Sequence, residues 1–426
     1  MKENVSERRR DLKRITLLIA GVFLAGVVLQ AGAMAEDDRK IEKEFETKPG
    51  KTIEFDLDAG GDIAIEVWDK ELIHVEALLK GKDNDNIDID FYMGKSGLEI
   101  SSEFKKKRRR NRSDVTFIVR VPVKYDVEFN TLGGDVEIRG IEGFITGKTM
   151  GGDVDFSDLK GELSVTTMGG DVTVRDSYLD GKVKTMGGRV DIENVEGDLK
   201  GLTMGGDVEY RNVRGRKDDE KEVSITTLGG DLDLDYEGKD IKARTMGGDI
   251  DLERGEKVKL STMGGDIDVL EAGKGADLHT MGGDITIGRA DIFANAKTMG
   301  GNIEIKEVDG WVKATTMGGD VYVKMVGDPD DKKRDVELKS MGGDIELIVP
   351  EGMSMEFDIE ISYTKNSKKN YRIESDFDMK IKETKEWKRK WGQKRKYIYG
   401  TGAIRDGSNR IKIRTTNGNV YIKKGD

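Results

Sequence analysis

Carboxylates that recur at a fixed spacing are the residues of this chain best suited to chemistry. Hard cations bind clustered carboxylate oxygens, so a column of stacked aspartates could form a cation ladder. The same side chains could instead accept hydrogen bonds from the backbone N–H groups of their own corners, as aspartate does in turns. Both interpretations stay open here, whereas catalysis is disfavoured because an active site needs one special residue rather than a repeated one. The aspartates concerned are Asp135, Asp153, Asp171, Asp207, Asp231, Asp249, Asp266, Asp284, Asp320 and Asp344.

Other catalytic groups are scarce in the sequence. The 426 residues include two histidines, His74 and His279, and no cysteine. This composition excludes a thiolate nucleophile, a thiolate zinc site, a disulfide framework and a multi-histidine metal centre. We therefore expect no enzymatic activity and no cofactor.

A basic and aromatic segment within residues 354–400 is the second candidate site. Aromatic rings interleaved with cationic side chains can bind glycans or anionic polymers. The same segment could simply be a twisted hairpin that caps the open end of a stack of repeats, which repeat proteins require. Its possible binding residues are Trp387, Lys388, Arg389, Trp391, Tyr397 and Tyr399.

A short motif, Thr-Met-Gly-Gly-Asp-Val in its commonest form, recurs twelve times and must position the aspartates. Successive copies begin 18 residues after one another, except for one interval of 17 residues and two of 24. Apolar Val154 and Phe156 alternate with polar Asp155 and Ser157, and this period of two predicts strands with one buried face. The copies begin at Thr131, Thr149, Thr167, Thr185, Thr203, Thr227, Thr245, Thr262, Thr280, Thr298, Thr316 and Ser340.

One such unit buries too little apolar surface to fold alone, so the copies must stack. We predict an all-β protein whose centre is a parallel β-solenoid, or β-helix, of coils of about 18 residues. The predicted organisation is a signal peptide (1–35), an N-terminal β-strand region (36–130), a regular solenoid of twelve repeats (131–347), and a C-terminal basic and aromatic excursion with a capping coil (348–426).

Each position of the motif has a predicted structural role. The Gly-Gly pair should supply a corner with positive φ, and the threonine an exposed or corner hydroxyl ladder. Arg189 and Asn302 break the aspartate column, and Arg189 should pair with Asp171 and Asp207. The methionines should fill the interior as one buried column, which comprises Met150, Met168, Met186, Met204, Met246, Met263, Met281, Met299 and Met317.

Charged residues should sort onto two adjacent faces of the stack. The strand after the corner carries an acidic residue on its outer side in nine of the twelve copies, and the strands before the corners carry basic ones. Such faces keep strands soluble, but they could also support lateral association or docking on a charged partner. Two charged insertions, 214–221 and 328–333, are predicted as tolerated loops or binding loops, and the basic run 105–112 as a solvated hairpin tip.

The N-terminus reads as a targeting segment. Basic residues precede an apolar run from Ile15 that ends at Ala33-Met34-Ala35, the small-x-small pattern of a signal-peptidase site. We expect cleavage after Ala35 and export to the periplasm or the cell surface. The cleaved, mature chain should then not insert in the membrane, and an uncleaved N-terminal membrane anchor is the alternative.

The chain resembles a bacterial family of exported β-strand-repeat proteins, a domain of unknown function whose members are often labelled adhesins. The resemblance rests on residues 121–123 (Val-Pro-Val), on residues 127–136, on the Gly-Gly-Asp corners, and on the closing residues 410–419, and it covers most of 40–424. Bactofilins, which are cytoskeletal β-solenoids, are a weaker analogue, against which the export signal argues.

The resemblance implies an adhesin-like module, and we expect a non-enzymatic, exported interaction or scaffold protein of the cell envelope. Its partner would be an envelope protein or a polysaccharide, with lateral self-association also possible and nucleic acid excluded. One alternative is a β-helix protein that binds or cleaves polysaccharide. Another is a structural rod that depends on cations.

Overall fold

The computed structural model describes residues 38–106, 114–215, 222–238, 240–367, 370–390 and 393–425. The segment 1–35 with Ala35, most of the basic run 105–112, and Trp391 lie outside the described residues. Within them the protein is all-β, with one three-residue 3-10 helix at Asn84–Asn86. The all-β part of the fold prediction is confirmed.

The N-terminal strands form the beginning of one continuous sheet. They are β1 (Arg39–Glu46), β2 (Lys51–Leu57), β3 (Asp62–Trp68), β4 (Leu72–Lys80), β5 (Ile87–Met93), β6 (Gly97–Phe104), β7 (Asp114–Pro122) and β8 (Tyr125–Thr131).

The repeat region contributes the next strands. They are β9 (Val136–Arg139), β10 (Glu142–Thr149), β11 (Val154–Ser157), β12 (Lys160–Thr167), β13 (Val172–Lys184), β14 (Val190–Glu196), β15 (Leu199–Leu202), β16 (Val208–Arg214), β17 (Val223–Thr226), β18 (Leu232–Glu237), β19 (Ile241–Arg244), β20 (Ile250–Ser261), β21 (Ile267–His279), β22 (Ile285–Ala290), β23 (Phe293–Lys297), β24 (Ile303–Val308), β25 (Trp311–Thr315), β26 (Val321–Met325), β27 (Val336–Lys339) and β28 (Ile345–Val349). Most units have one strand after their Gly-Gly corner and one before the following corner, whereas β13, β20 and β21 each run from one corner to the next.

Consecutive units pair in parallel, and equivalent residues lie side by side. Val154 pairs with Val136 on one side and with Val172 on the other, so the register advances by one 18-residue repeat. Alternate side chains of each strand point inward, and the inward Val, Ile and Leu residues form one hydrophobic core. Each strand therefore buries its apolar face only because its neighbours in the stack do the same.

The C-terminal strands complete the sheet. They are β29 (Met355–Thr364), β30 (Ile373–Ser375), β31 (Lys380–Glu383), β32 (Lys388–Lys390), β33 (Gln393–Ile404), β34 (Asn409–Thr416) and β35 (Val420–Lys424).

At both ends of the stack the chain departs from sequential order. At the N-terminus β2 lies between β8 and β6, and β3 lies between β9 and β7, all in parallel. At the C-terminus β34 lies between β27 and β29, and β35 between β28 and β30. Antiparallel strands then follow at each end, with β4 against β7 and β33 against β29. The edges of β7 and β29 are thereby covered rather than left open.

The second insertion is anchored by a buried cation. Arg334 is 0% exposed, and its guanidinium donates hydrogen bonds to the carbonyl oxygens of Val326 and Asp328 and to Asp309 Oδ1. Lys332 Nζ lies 3.0 Å from the other oxygen of Asp309. The loop 328–333 is therefore fixed to the stack. The first insertion falls at the equivalent place, after β16, but residues 216–221 lie outside the described residues.

Candidate interaction surface

The threonine of each motif closes the corner from inside. Thr185 is fully buried; its Oγ1 donates to the carbonyl oxygen of Gly170 in the preceding repeat at 2.8 Å and accepts from the N–H of Gly188 at 3.1 Å. Ser340 makes the equivalent bonds to Gly319 and Gly343. Of the two predicted alternatives, the corner hydroxyl ladder is present and the exposed one is wrong, because the hydroxyls lie in the interior.

The methionines point outward, so the predicted buried column is wrong. Met150 is 53% exposed and Met186, the least exposed of the column, 39%. Side chains alternate along the strand that enters the corner, and the buried threonine therefore places the next residue outside. The exposed positions follow one another through the stack, and we call them the methionine ridge: Leu132, Met150, Met168, Met186, Met204, Leu228, Met246, Met263, Met281, Met299, Met317 and Met341.

The two glycines of the corner serve different purposes. A Cβ on Gly188 would lie 2.1 Å from the carbonyl oxygen of Gly170 in the preceding repeat, whereas a Cβ on Gly187 would meet nothing closer than 3.6 Å. Gly134 has a φ of 107°, but no positive φ occurs at the later Gly-Gly corners among the described residues. The predicted positive φ is therefore wrong for most corners, and the second glycine is required by close approach between repeats.

The aspartates join one repeat to the next. The N–H of Asp153 donates to Asp135 Oδ1 at 2.9 Å, and the N–H of Asp171 donates to Asp153 Oδ1 at 2.8 Å. Each carboxylate thus serves the corner of the following repeat and not its own corner, which corrects that prediction. The equivalent bond, from the N–H of one residue of the column to Oδ1 of the residue before it in the column, recurs along the column that runs from Asp62 to Asn419. We call this column the aspartate ladder.

Arg189 and Asn302 affect the ladder differently. Asn302 accepts the N–H of Asp320 through Oδ1, so the ladder continues. The N–H of Arg189 donates to Asp171 Oδ1 at 2.7 Å. The Arg189 guanidinium carries only donors, so it cannot accept the N–H of Asp207 in the next repeat. In the described ranges Arg189 forms no ion pair with Asp171 or Asp207, and the predicted pairing is wrong.

The cation ladder gains no support from this geometry. One oxygen of each ladder carboxylate is already occupied by a backbone N–H of the next repeat. Among residues 38–425, where described, no three or more His, Asp or Glu side chains are grouped so that they could hold a metal ion.

Charges of opposite sign flank the methionine ridge. On one side, an exposed basic residue directly precedes the buried threonine or serine in five of the twelve motif copies: Lys148, Lys184, Arg244, Lys297 and Lys339. On the other side lies the exposed aspartate ladder. Like charges also stack farther out, with Lys182 beside Lys200 and Asp191 beside Glu209. The ridge is therefore an apolar line between a basic edge and an acidic edge.

Part of the predicted aromatic binding surface is not exposed, because some of its rings pack against neighbouring side chains. Tyr397 is 6% exposed, and its ring stacks beside that of Tyr399, with centroids 6.0 Å apart. Trp387 packs edge-on against Tyr363 with centroids 5.6 Å apart, beneath Lys396. Lys388 and Arg389 remain exposed near the tip of β32 and β33, so a smaller basic surface persists there, and Tyr399 remains exposed further along β33, opposite Lys382.

Hydrogen bonding and packing also set the protonation of Tyr363. Burial and the hydrogen bond to Glu383 raise the pKa of its phenol to about 12. The aromatic cluster thus serves the hairpin that covers the end of the stack. Sequence reasoning alone could not assign these rings to packing, because the partner Tyr363 lies on another strand.

No described helix is long and apolar enough to cross a membrane. This finding concerns only the described residues, which exclude the apolar run after Ile15.

The sequence matches one family model twice. The model is Toastrack DUF4097, and the matches cover residues 44–240 and 235–423. A search of curated proteins finds no match to the sequence.

Several solved structures show a remote likeness. A candidate cell adhesion protein from Clostridium sporogenes has 9% identity and a TM-score of 0.19, and the match covers 91% of this chain and 100% of that one. A candidate lipid binding protein from Parabacteroides distasonis has 11% identity and a TM-score of 0.23, with 72% and 96% covered. A candidate adhesin from Bacteroides fragilis has 16% identity and a TM-score of 0.19, with 73% and 96% covered. These TM-scores are too low to support an argument about the fold or the role of this chain. The family is therefore identified by the match to the family model.

Proposed function

Since the chain belongs to the Toastrack DUF4097 family, a family of unknown function in which adhesin labels are common, we propose that it is a non-enzymatic interaction or scaffold module of the bacterial cell envelope. The observation that carries the proposal is the methionine ridge, which stays exposed through all twelve motif copies. Contiguous exposed apolar surface on this scale marks interaction sites.

We further propose that the stack is a parallel β-solenoid. The support is the register, in which residue pairs along successive strands advance by one repeat, as Val190 pairs with both Val172 and Val208. A stack of this kind presents one side-chain type as a line along its length, which suits a scaffold better than a catalytic cleft.

Export remains part of the proposal. Its support is the basic and then apolar N-terminal segment that ends at Ala35. Export would place the methionine ridge and the basic tip of β32 and β33 where envelope components are within reach.

The positions of the histidines support a non-enzymatic role. His74 lies 3.4 Å from Glu44 and 3.7 Å from Glu42 on an N-terminal strand pair, and His279 lies in the stack between Ser261 and Lys297. His74 faces carboxylates without a nucleophile, and His279 has Ser261 beside it in the register but no carboxylate at either neighbouring register position, whereas acyl transfer requires both groups. Polysaccharide binding at Lys388, Arg389 and Tyr399 is the second candidate, favoured by their exposure.

Cell fractionation and a binding assay test the proposal. We expect the chain in the envelope fraction with Glu36 as its first residue, and saturable binding of labelled residues 36–426 to intact envelopes. Incubation with envelope polysaccharide should release no reducing sugar. Retention in the cytoplasm, or sugar release, would overturn the proposal. A Lys388→Glu/Arg389→Glu variant separates the two candidates, because only polysaccharide binding at the tip should be lost.

A further inference from the structure

We propose that the methionine ridge binds a second copy of this chain, with the two stacks parallel and related by a two-fold axis along their length. This inference rests on the proposed scaffold function and names the partner for it. The ridge is a line of apolar side chains about 53 Å long at ~4.8 Å per repeat. Methionine side chains are flexible and polarizable, and they suit surfaces that must repack against a partner.

The size of the ridge fits an interface. A strip about 10 Å wide and 53 Å long offers roughly 500 Å² per copy, so two facing ridges bury about 1,000 Å², near the lower limit of specific interfaces. The flanking charged edges extend this contact. The exposed first glycine of each corner, such as Gly187, leaves space beside the ridge into which a methionine of the partner can fit.

The charges select one partner and one orientation. The ridge has Lys148, Lys184, Arg244, Lys297 and Lys339 on one edge and the aspartate ladder on the other. A two-fold axis along the stack exchanges left and right, so in register it places Lys148, Arg244 and Lys339 of one copy over Asp153, Asp249 and Asp344 of the other. In the same arrangement Lys184 meets Arg189, and Lys297 meets the neutral Asn302. An axis across the stack would instead place one aspartate ladder over the other, and facing acidic residues cost free energy. The parallel pairing therefore joins the apolar lines with three complementary charge pairs and keeps the two ladders apart.

The same edges argue against a membrane as the occupant. A bilayer with anionic headgroups would meet the whole aspartate ladder on one side of a narrow apolar line. A second copy places Lys148, Arg244 and Lys339 opposite aspartates of the ladder, and its ridge repeats at the same spacing.

The oligomeric state and a cross-linking experiment test this inference. We expect residues 36–426 to sediment as a dimer at micromolar concentration. The triple variant Met246→Glu/Met263→Glu/Met281→Glu should raise the dimer dissociation constant at least about tenfold. The matched control Met246→Gln/Met263→Gln/Met281→Gln should raise it less, since it adds no charge. All of these positions are exposed, so the far-ultraviolet circular dichroism should stay unchanged and show that both variants fold.

Because the chain has no cysteine, single cysteines report orientation directly. In the parallel dimer Met168 faces Met168 and Met317 faces Met317, so Met168→Cys and Met317→Cys should each cross-link to themselves with a short bis-maleimide. A mixture of the two variants should give no mixed product. Mixed cross-links without self-cross-links would show an antiparallel pairing and overturn the inference.

Two further outcomes would also overturn it. One is a monomer at all concentrations up to about 100 μM, and the other is flotation with vesicles of anionic phospholipid that the triple glutamate variant abolishes. If the chain is monomeric but still binds envelopes, the self-pairing fails while the proposed function stands. If it dimerises but does not bind envelopes or reach them, the proposed function fails while the self-pairing stands.

Discussion

The N–H of Asp320 donates a 2.9 Å hydrogen bond to Oδ1 of Asn302, which takes the place of an aspartate in the ladder. The equivalent bond between Asp344 and Asp320 is 2.7 Å. The link between repeats therefore depends on a side-chain carbonyl oxygen of the right length and not on a negative charge. Among the motif copies, Arg189 is the position whose side chain cannot supply that oxygen.

Replacing Arg189 by asparagine should therefore stabilise the protein. The Arg189→Asn variant gains an acceptor for the N–H of Asp207, and we expect an increase of about 0.5–1 kcal/mol in the free energy of unfolding. Urea denaturation at neutral pH measures the change. Arg189→Ala is the control, since it removes the guanidinium without adding an oxygen, and equal midpoints for the two variants would refute the idea.

Arg189→Asp should show the cost of charge in the same place. This variant also gains an acceptor, but it sets a carboxylate between Asp171 and Asp207 at a spacing of about 4.8 Å. Repulsion between exposed charges is weakened by salt, so its urea midpoint should lie below that of Arg189→Asn at low ionic strength and approach it in about 0.5 M salt. A gap that does not depend on salt would show that the columns are not in register.

Replacing the two glycines of one corner by alanine should reduce stability to very different extents. Gly188→Ala brings a Cβ within 2.1 Å of the Gly170 oxygen, so neighbouring repeats must separate, and we expect a loss of about 2–4 kcal/mol. Gly187→Ala meets only ordinary contact distances and should change stability by less than about 1 kcal/mol. Comparable losses for both variants would contradict the assignment of close approach to the second glycine.

The threonine clamp should tolerate serine but not valine. Thr185→Val keeps the shape but leaves the Gly170 carbonyl and the Gly188 N–H without the hydroxyl, and it should cost about 2–4 kcal/mol. Thr185→Ser should cost less than about 1.5 kcal/mol, since Ser340 already fills this role in the chain. Thermal melting of both variants tests the prediction, which fails if valine is as stable as serine.

Acid should weaken the anchor of the second insertion. Burial raises the pKa of Asp309, but hydrogen bonds from Lys332 and Arg334 outweigh it, and the net effect lowers that pKa below its usual value. A carboxyl group with a lowered folded pKa stabilises the protein above its unfolded pKa, and this contribution disappears as the pH falls through the folded pKa.

We therefore expect the contribution of Asp309 to fall away below about pH 4. Asp309→Asn should cost about 1–3 kcal/mol at pH 7, because it leaves the cation of Arg334 buried without its carboxylate. The difference between wild type and Asp309→Asn should shrink as the pH drops. A difference that is constant from pH 7 to pH 3 would show that the ion pair contributes nothing.

Period-two alternation made the strands predictable from sequence, as residues 163–167 illustrate. Leu163 and Val165 point inward and Ser164 and Thr166 outward, and the structure agrees. The same alternation, continued by two residues, would have placed Thr167 inside and Met168 outside. Hydrophobicity alone suggested that Met168 is buried and Thr167 exposed. This prediction is wrong because the backbone groups inside the corner, the Gly152 carbonyl and the Gly170 N–H, form hydrogen bonds with the Thr167 hydroxyl.

Contacts between distant residues were beyond sequence reasoning. Nothing near Arg334 in the chain indicates that its guanidinium is buried against Asp309, because that contact depends on how the loop 328–333 folds back. The ladder bond between repeats was missed for a related reason. An aspartate beside a turn commonly serves its own turn, and only the stacking distance shows that the next N–H is within reach.

The insertion of the terminal coils between other strands has a consequence for the order of folding. Within the stack, a ladder bond such as that from Asp153 to Asp135 joins residues 18 positions apart. At the two ends the same bond spans 73 positions, from Asp135 to Asp62, and 75 positions, from Asn419 to Asp344. Closing longer loops costs more chain entropy and slows folding. The middle repeats can fold one after another while the chain is being made. The final coil, formed by β34 and β35, cannot pair with β27 and β28 until those last strands have been synthesised. The C-terminal end therefore closes last, onto a stack that is already assembled, whereas the N-terminal coil has all its partner strands once β9 has been made.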